Sequence, residues 1–512
     1  SSPAYKTRQN GIQQSEHLPD WLKVYFSKLA EAKLGVYPAP FCHQISALEA
    51  AQAGQDLFVA TGTGSGKTEC FMWPMMAKLA EEARNRPKSW ELRGVRTIVM
   101  YPMNALVSDQ ISRLRRLIGD PQHRFVNIFR ETAGYHARRP QFGMYTGRTP
   151  YAGPKPNKNN DSRLADTYSK MLHPEREADR EFLDKLISDG KIPSKENFDA
   201  FLEKLKKNKH IPDPEDAELI TRFEMQKVCP DILITNYSML EYMLLRPREE
   251  QIWKDTSKWL KSSPDNKLLF IIDEAHMYRG SAGGEVSLLI RRLFHKLGID
   301  RNRVQFILTT ASMPNQSEED RKAVRDFANA LTASDSNRSF CYLTGEREDI
   351  SDEGLLDIPA AYFEHVQAEQ FEGDDTQRLE AINAFLAGLP ESSAPFSDLD
   401  TACQWMYNHL VDYKPFCSLF QLCRGTAISL QELADSIFPN ITGETAMHAV
   451  DVMLALAPLA RNQEGNVLFP ARMHMLFRGI KGVYACTNPE CPHSHSENGL
   501  TLGEIYLSDG RL

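Results

Sequence analysis

Several features that define whole classes of protein are missing from this chain of 512 residues. It has no run of about 18 apolar residues, so the sequence predicts no membrane-spanning helix and no membrane partner. Its 9 cysteines are widely scattered, unlike the dense cysteines of small disulfide-stabilised secreted domains. The N-terminal segment is polar and has no apolar signal core. We therefore expect a soluble protein of the reducing cytoplasm.

A general excess of positive charge is also missing, because the formal net charge at pH 7 is −8. This argues against a surface that is basic all over, but it leaves room for a local basic groove. With 512 residues the chain is too long for one hydrophobic core, and we expect about two to four domains.

Short apolar runs alternate with helical patterns through the first two thirds of the chain. We predict buried strands at LFVA (57–60), RTIVMYP (96–102), FGMYTG (142–147), DILITN (231–236), LLFIIDE (268–274), VQFILTTAS (304–312) and FCYLTG (340–345). Buried strands separated by helices are typical of an α/β protein whose parallel sheet is covered on both faces.

Changes in pattern divide the chain into four predicted parts. These are an N-terminal helical extension (1–35), the sheet domain (36–345), a mainly helical domain (346–480) and a C-terminal module (481–512). The charged stretch 150–225 is predicted to be a helical insertion in the sheet domain. Residues 20–33 have helical periodicity, which places on one face Trp21, Val24, Tyr25, Leu29 and Ala32. The order of helices and a hairpin in 415–480 suits a winged helix, and we favour a packing role over base recognition there.

A glycine-rich loop, VATGTGSGKTEC, directly follows the LFVA strand. Glycines allow backbone N–H groups to approach phosphates closely when such a loop joins a strand to a helix. Lys67 would add a positive charge and Thr68 a ligand for Mg²⁺, so we predict ATP and Mg²⁺ as cofactors. The strict pattern has a glycine at the position of Thr61. The predicted nucleotide-binding residues of this loop are Thr61, Gly62, Thr63, Gly64, Ser65, Gly66, Lys67 and Thr68.

Acidic and hydroxyl side chains follow two later strands. Asp273, Glu274 and His276 come directly after LLFII, where an aspartate can hold Mg²⁺ and the next glutamate can polarise water. Thr310 and Ser312 are hydroxyl residues at the end of VQFILTTAS. We predict Lys67, Asp273, Glu274 and His276 as the catalytic set.

This ordered set of motifs resembles the first RecA-like domain of the superfamily 2 helicases over roughly residues 36–345. The resemblance implies that Gln44 reads the adenine and that Thr310 and Ser312 couple hydrolysis to motion. It also implies that YPMNALVSDQ, YTGRTP and TNYSML contact nucleic acid. The predicted DNA contacts, all in or beside strand-end loops, are Asn104, Arg148, Asn236, Ser238 and Arg279.

A narrower resemblance rests on DEAHMYRGSAGGEVSLLIRRL, TNYSMLEYMLLRP and FRGIKGVYACTNPEC. These stretches are similar to the MrfA-type repair helicases and to the DruE-like and DrmA-like helicases of bacterial antiphage defence, the DruE-like proteins above all. The resemblance implies DNA as the substrate, with other defence-system proteins as partners.

The signature of a second RecA-like domain, QxxGRxGR, does not occur, and no second run of predicted parallel strands follows residue 345. A helicase motor closes two such domains around ATP. We therefore expect this chain to be the front part of a longer protein, and we expect the chain alone to hydrolyse ATP poorly. Cys486 and Cys491 suit one edge of a Zn²⁺ site. Either His493 and His495 complete it, or a second cysteine pair of a zinc ribbon lies beyond Leu512.

Other interpretations stay open from the sequence alone. The chain could be an ATP-gated module that clamps DNA or a partner without processive movement, or it could remodel RNA. Arg291 and Arg292 fit a phosphate contact and a solvated helix face equally well. The lysines of the insertion are more typical of a solvated helix surface; they are Lys204, Lys206, Lys207 and Lys209.

Overall fold

The computed structural model describes most of the chain up to residue 468 and short strands beyond it. The described ranges are 6–62, 65–150, 156–173, 177–310, 318–334, 339–345, 355–392, 394–423, 429–439, 441, 443–462, 467–468, 484–485, 495–497, 500–502 and 505–506. The chain divides into two compact units, residues 3–351 and residues 352–512.

An eight-stranded parallel sheet forms the centre of the first unit. Its strands are β1 (Asp56–Ala60), β2 (Thr97–Tyr101), β3 (Phe142–Tyr145), β4 (Glu218–Leu219), β5 (Ile232–Asn236), β6 (Leu268–Ile272), β7 (Val304–Thr310) and β8 (Phe340–Thr344). The spatial order is β4-β3-β5-β2-β6-β7-β1-β8. The predicted parallel α/β sheet is confirmed. Only β4 was not predicted, because two residues are too few to make an apolar run.

The helices of this unit lie between the strands. They are α1 (Asp20–Glu31), α2 (Cys42–Gln52), α3 (Glu69–Asn85), α4 (Pro87–Glu91), α5 (Asn104–Leu117), α6 (Arg124–Ala133), α7 (Lys158–Leu172), α8 (Glu177–Ser188), α9 (Phe198–Lys206), α10 (Arg222–Lys227), α11 (Tyr237–Leu245), α12 (Glu250–Ser262), α13 (Ser281–Leu297) and α14 (Glu318–Leu331). Helices α7 to α9 occupy the stretch predicted to be a helical insertion. No described helix is both long and apolar enough to cross a bilayer.

Two hydrophobic cores cover the two faces of the sheet. Residues of α1 to α6 pack on one face, and residues of α11 to α14 pack on the other. Strand β2 serves both cores, since Val99 and Tyr101 belong to the first while Ile98 and Met100 belong to the second. This alternation is the pattern of a strand buried on both sides.

The N-terminal helix corrects one detail of the sequence prediction. Val24 is 54% exposed and does not share the buried face of α1. That face consists of four side chains whose spacing follows successive helical turns, namely Leu22, Tyr25, Phe26 and Leu29. Trp21 and Ala32 pack at its margin.

A buried ionic cluster joins several elements at the amino edge of the sheet. Arg96, which precedes β2, is fully buried, and its guanidinium lies 5.0 Å from the ring centre of Trp90 and 4.7 Å from that of Trp259. It donates to Glu82 of α3 at 3.0 and 3.2 Å and lies 3.2 Å from Asp231. The charges are therefore paired where they are removed from water, as buried ions require.

Arg138 completes the pairing of Asp231. Its guanidinium makes two hydrogen bonds of 2.7 Å with the carboxylate and lies 4.2 Å from the ring centre of Trp90. Burial alone would raise the pKa of Asp231, but the charges of Arg138 and Arg96 outweigh it and hold the pKa below its ordinary value.

The second unit is mainly helical in its described part. Its helices are α15 (Asp375–Leu386), α16 (Leu399–His409), α17 (Lys414–Leu422), α18 (Leu430–Ile437) and α19 (Glu444–Leu456), followed by an antiparallel bridge between Arg461 and Val467. Short strands follow as β9 (Tyr484–Ala485), β10 (His495–Glu497), β11 (Leu500–Leu502) and β12 (Ile505–Tyr506). The winged-helix and zinc-ribbon assignments stay predictions, because 469–483 and 486–494, with Cys486, Cys491 and His493, lie outside the described residues.

We expect Asp231→Asn to lower the free energy of unfolding by about 3–5 kcal/mol at pH 7, because it leaves buried arginine charge unpaired. Denaturant unfolding followed by tryptophan fluorescence measures this, since Trp90 and Trp259 lie in the cluster. The exposed Asp265→Asn is the matched control and should change stability by less than about 0.5 kcal/mol.

The same aspartate predicts a pH dependence. Its folded-state pKa is depressed, so its contribution is present above the unfolded value of about 3.9 and is lost as the pH falls through the folded value. The stability difference between the parent and Asp231→Asn should therefore shrink below about pH 4. Equal differences at pH 7 and at low pH would contradict this account.

Candidate functional site

The carboxyl ends of the parallel strands bring the predicted site residues to one edge of the sheet. Strand β6 pairs with β7, and β7 pairs with β1. Thr61 follows β1, Asp273 follows β6 and Thr310 ends β7, so three distant segments meet at this edge. Ligands bind at this edge in open α/β sheets.

The described part of the glycine-rich loop is fastened to α2. Ser65 Oγ donates to Thr61 Oγ1 at 2.6 Å within the loop, while His43 Nε2 lies 2.7 Å from the Ser65 carbonyl. Gln44 Nε2 donates to the Gly66 carbonyl at 3.1 Å, and its Oε1 accepts from the Phe41 amide at 3.0 Å. Thr63 and Gly64 lie outside the described residues. Helix α2 therefore sets the position of the loop.

His43 was not predicted to be a site residue, although it adjoins Gln44. A carbonyl can only accept, so Nε2 of His43 must carry the hydrogen. Burial lowers the pKa of His43, which keeps the imidazole neutral at physiological pH. A neutral donor suits a position that holds the loop backbone.

Gly66 is a position where only glycine fits without rearrangement. Its φ is +69°, and a Cβ built there would lie 2.1 Å from Nε2 of Gln44. Both the left-handed backbone and the close approach exclude a side chain. A cradle of this kind, formed by bare backbone, is what a phosphate-binding loop needs.

Lys67 and Thr68 lie where the loop turns into α3. Thr68 immediately precedes that helix. The Lys67 ammonium lies 3.8 Å from Oε1 of Glu274, although β7 separates β1 from β6 in the sheet. The loop lysine and the acidic motif therefore face each other, although more than 200 residues separate them in the sequence.

Asp273 is held by two hydrogen bonds at the end of β6. Thr309 Oγ1 donates to its Oδ1, and the Glu274 amide donates to the same oxygen at 3.0 Å. The residue is 9% exposed, and burial is the main cause of its raised pKa. Thr309 was not predicted. The pair of threonines in VQFILTTAS was its only sequence signal.

Glu274 has an unusual backbone conformation, with φ +51° and ψ 46°. Few residues other than glycine, asparagine and aspartate adopt this left-handed region, so the turn stores strain. Among the described residues, its buried Oε2 has no hydrogen-bond partner. His276 Nδ1 lies 3.3 Å from that oxygen but 3.0 Å from Thr310 Oγ1, and only the second contact has hydrogen-bond geometry. One carboxylate oxygen is thus left for a group that enters the cleft.

The contact between His276 and Thr310 links β6 to β7 beside the acidic pair. The sequence predicted both residues, and the structure brings them together. Ser312, the other predicted coupling residue, lies outside the described residues.

Four of the five predicted DNA contacts lie at or after the strand ends on the other half of the same edge, and the fifth, Arg279, follows β6. Asn104 begins α5 after β2, Arg148 follows β3, and Ser238 lies just after β5. Arg148, Ser238 and Arg279 are exposed. Asn236 differs, because its Nδ2 donates to Asn104 Oδ1 at 2.7 Å while its Oδ1 accepts from the Met239 amide at 2.8 Å. It caps α11 and fastens α5, so here it positions neighbours.

Several hydrogen bonds fasten the loop that carries Arg148. Thr149 Oγ1 donates to the Met144 carbonyl at 2.6 Å and accepts from the Thr146 amide at 2.9 Å. Arg222 of α10 donates to the Thr146 carbonyl at 2.7 Å. Arg222 was not predicted, because nothing in the sequence connects it to this loop.

No group of three or more His, Cys, Asp or Glu side chains that could hold a metal ion occurs among the described residues. The predicted zinc ligands Cys486 and Cys491 lie outside that part of the chain, so the zinc prediction stays untested.

Comparison with known proteins identifies the family. Residues 42–142 match the model of the DEAD/DEAH box helicase family. The chain is 37% identical over 521 aligned residues to Druantia protein DruE of Escherichia coli, covering 96% of this chain and 28% of that protein. It is 31% identical over 93 residues to the uncharacterized ATP-dependent helicase YprA of Bacillus subtilis, covering 18% of this chain and 11% of that protein.

Among solved structures, the DUF1998 helicase MrfA bound to DNA aligns with a TM-score of 0.36 and 19% identity, over 68% of this chain and 30% of that one. The chain thus spans less than a third of DruE. The helicase-family match and the similarity to DruE along nearly the whole chain place it among the DruE-like superfamily 2 helicases.

Proposed function

We propose that the whole protein is an ATP-dependent DNA helicase or translocase that acts in bacterial antiphage defence. The observation that carries the proposal is the meeting of Lys67 with Asp273 and Glu274 at one end of the sheet, in a chain similar to DruE. The neighbouring strand ends carry exposed side chains suited to a nucleic-acid backbone.

The residues present fit ATP and Mg²⁺. The bare backbone at Gly66 and the Lys67 ammonium suit phosphate oxygens, while Thr68 and Asp273 offer oxygen ligands to Mg²⁺. Gln44, already beside the loop, is proposed to read the adenine. Bound ATP–Mg²⁺ would supply the phosphoryl bond that is cleaved and a cation that offsets its charge.

Glu274 is proposed to orient and deprotonate the attacking water. Its Oε2 is the acceptor left over after the contacts within the cleft are made. Lys67, 3.8 Å from Oε1, places a positive charge beside this carboxylate. His276 is hydrogen-bonded to Thr310, so a change in the position of Glu274 would be transmitted through His276 to β7.

Movement on DNA is proposed to require a second RecA-like domain that closes over the nucleotide and stabilises charge on the transferred phosphoryl. Strand β2 pairs with β6, so the loop that begins α5 is next to the strand that ends at Asp273. This adjacency supports communication between nucleotide and DNA within the first domain. The activity is therefore proposed for the full-length protein.

The test is ATP hydrolysis by the full-length protein without nucleic acid and with single-stranded DNA, duplex DNA or RNA. We expect stimulation by DNA and a fall of about 10²–10⁴ in kcat for Glu274→Gln, because general acid–base catalysis contributes that much. Nucleotide affinity should be kept. The matched control is Glu181→Gln, an exposed carboxylate of the insertion, which should hydrolyse ATP at the parent rate.

Stimulation by RNA alone would assign the protein to RNA remodelling. Nucleotide binding without stimulated turnover would favour an ATP-gated clamp on DNA or on a partner. Unchanged kcat in Glu274→Gln would show that the acid has another role.

A second prediction concerns the cradle. Gly66→Ala should weaken binding of a fluorescent ATP analogue about tenfold. The new Cβ would displace Gln44 from the loop, and a loss of about 1.4 kcal/mol in binding free energy corresponds to a tenfold change. Gly54→Ala is the matched control, because Gly54 also has a positive φ, +78°, but a Cβ there meets nothing within 4 Å. It should bind like the parent. Equal affinities of the two variants would mean that the Gln44 contact is not needed for nucleotide binding.

A further inference from the structure

A lysine-lined groove runs between α12 and α13, on the face of the sheet away from α1 to α6. Its volume is about 310 Å³, and its lining includes Lys254, Lys258 and Lys261 of α12 and Lys296 of α13. The three lysines of α12 are exposed. Neither the candidate nucleotide site nor the strand-end loops include any of these residues.

The three lysines of α12 share one side of the helix, because their spacing follows successive helical turns. Like charges at such spacings repel each other on a helix. Glu250 is the one carboxylate that lines the groove, and it is paired at 2.5 Å with Lys296. Within the described part of the chain, none of the three α12 lysines forms a salt bridge, although, with the hydrogen bond from Lys296, the charge of Lys254 contributes to the lowered pKa of Glu250. The arrangement therefore favours an external anion.

The groove is unlike a docking site for a folded protein. Its one apolar lining residue, Trp253, is 1% exposed, and its indole N–H donates to the Met243 carbonyl at 2.9 Å. Protein interfaces depend on exposed aromatic or aliphatic anchors at their centre, and the lining offers none. The Ser257 hydroxyl already donates to the Leu297 carbonyl at 2.8 Å. The ammonium groups are what remains, and they suit phosphate oxygens.

The position of α12 connects the groove to the strand-end loops. Glu249, just before α12, accepts a 2.6 Å hydrogen bond from the hydroxyl of Tyr145, the last residue of β3. Further along α12, Thr256 accepts from the amide of Val95, just before β2, at 3.0 Å. The helix therefore runs from the carboxyl edge, near the Arg148 loop, towards the amino edge.

The spacing of the charges suits a polynucleotide. With a rise of about 1.5 Å per residue, the lysines lie about 6 Å and about 4.5 Å apart along the helix axis. Successive nucleotides of one DNA strand rise by about 3.4 Å, so such intervals correspond to one or two nucleotides. Exposed Arg248 lies just before α12, at the end of the helix nearer to the Arg148 loop.

We propose that the α12 groove is a second binding surface for the phosphodiester backbone, and that it continues the DNA path away from the strand-end loops. This proposal rests on the proposed function, since it assumes that DNA is the substrate. The groove contacts phosphates only and reads no sequence. It lengthens the DNA segment held by the motor without touching the nucleotide site.

The test compares two triple variants with equal loss of charge. The first is Lys254→Gln/Lys258→Gln/Lys261→Gln. The control is Lys206→Gln/Lys207→Gln/Lys209→Gln, whose lysines are exposed on and beside α9. Binding of a labelled duplex and of a labelled single strand is measured by fluorescence anisotropy over a salt series. Glutamine keeps helix propensity, and circular dichroism with ATP-analogue binding verifies that each variant is folded.

For the groove variant we expect duplex binding to weaken about tenfold or more. The slope of log K against log salt should fall in magnitude by about 2–3, because each phosphate contact contributes about 0.9. The control should bind within about twofold of the parent, since it retains every proposed contact. ATP-analogue binding should be the same in all three proteins.

Three outcomes would overturn the proposal. If the parent binds DNA and the groove variant binds with equal affinity and slope, the groove has no role in DNA binding, while the proposed function stands. If both triple variants weaken binding equally, the effect is one of general charge. If the parent binds neither duplex nor single-stranded DNA, the proposed function fails and the groove proposal fails with it.

Discussion

The enclosure of Arg96 between two tryptophan rings is the constraint on which the geometry of the first unit depends. Its partners Glu82 and Asp231 belong to α3 and to the start of β5, and Trp259 belongs to α12. Helix α3 begins at the phosphate loop, and β5 ends at the loops proposed to contact DNA. A buried charge tolerates little displacement, so the cluster fixes α3 and β5 at the amino edge of the sheet. The positions of their other ends, at the carboxyl edge, follow from this.

The strand order divides the carboxyl edge of the sheet into two adjoining halves. Strands β1, β7 and β6 end at the proposed nucleotide site, and β2, β5 and β3 end at the loops proposed to contact nucleic acid. The halves meet where β2 pairs with β6. The backbone hydrogen bonds of that single ladder connect the segments that would have to respond to each other, so no separate linking element is needed between them.

The sequence could predict those features whose residues are close together in the chain. The buried strands are short apolar runs, and the phosphate loop and the DEAH segment are contiguous motifs next to such runs, so both were found. Arg96 lies far from Trp259 in the sequence, and only the folded sheet brings them together. The bonds from Thr309 to Asp273 and from Arg222 to the Arg148 loop are equally non-local. Val24 was wrongly predicted to be buried. The helical period shows which side of α1 is apolar, but it does not show which residues at the border of that side face the core.

The left-handed backbone of Glu274 has a consequence for how this site can evolve. A glycine there would relieve roughly 1–2 kcal/mol of conformational strain, yet it would remove the carboxylate that the cleft presents. With the role proposed for Glu274, stability and activity therefore oppose each other at this position. Selection for a more robust fold would act against the glutamate, and selection for the proposed hydrolysis would retain it. A strained residue of this kind is expected where the position of a side chain is more important to the protein than the stability that the residue contributes.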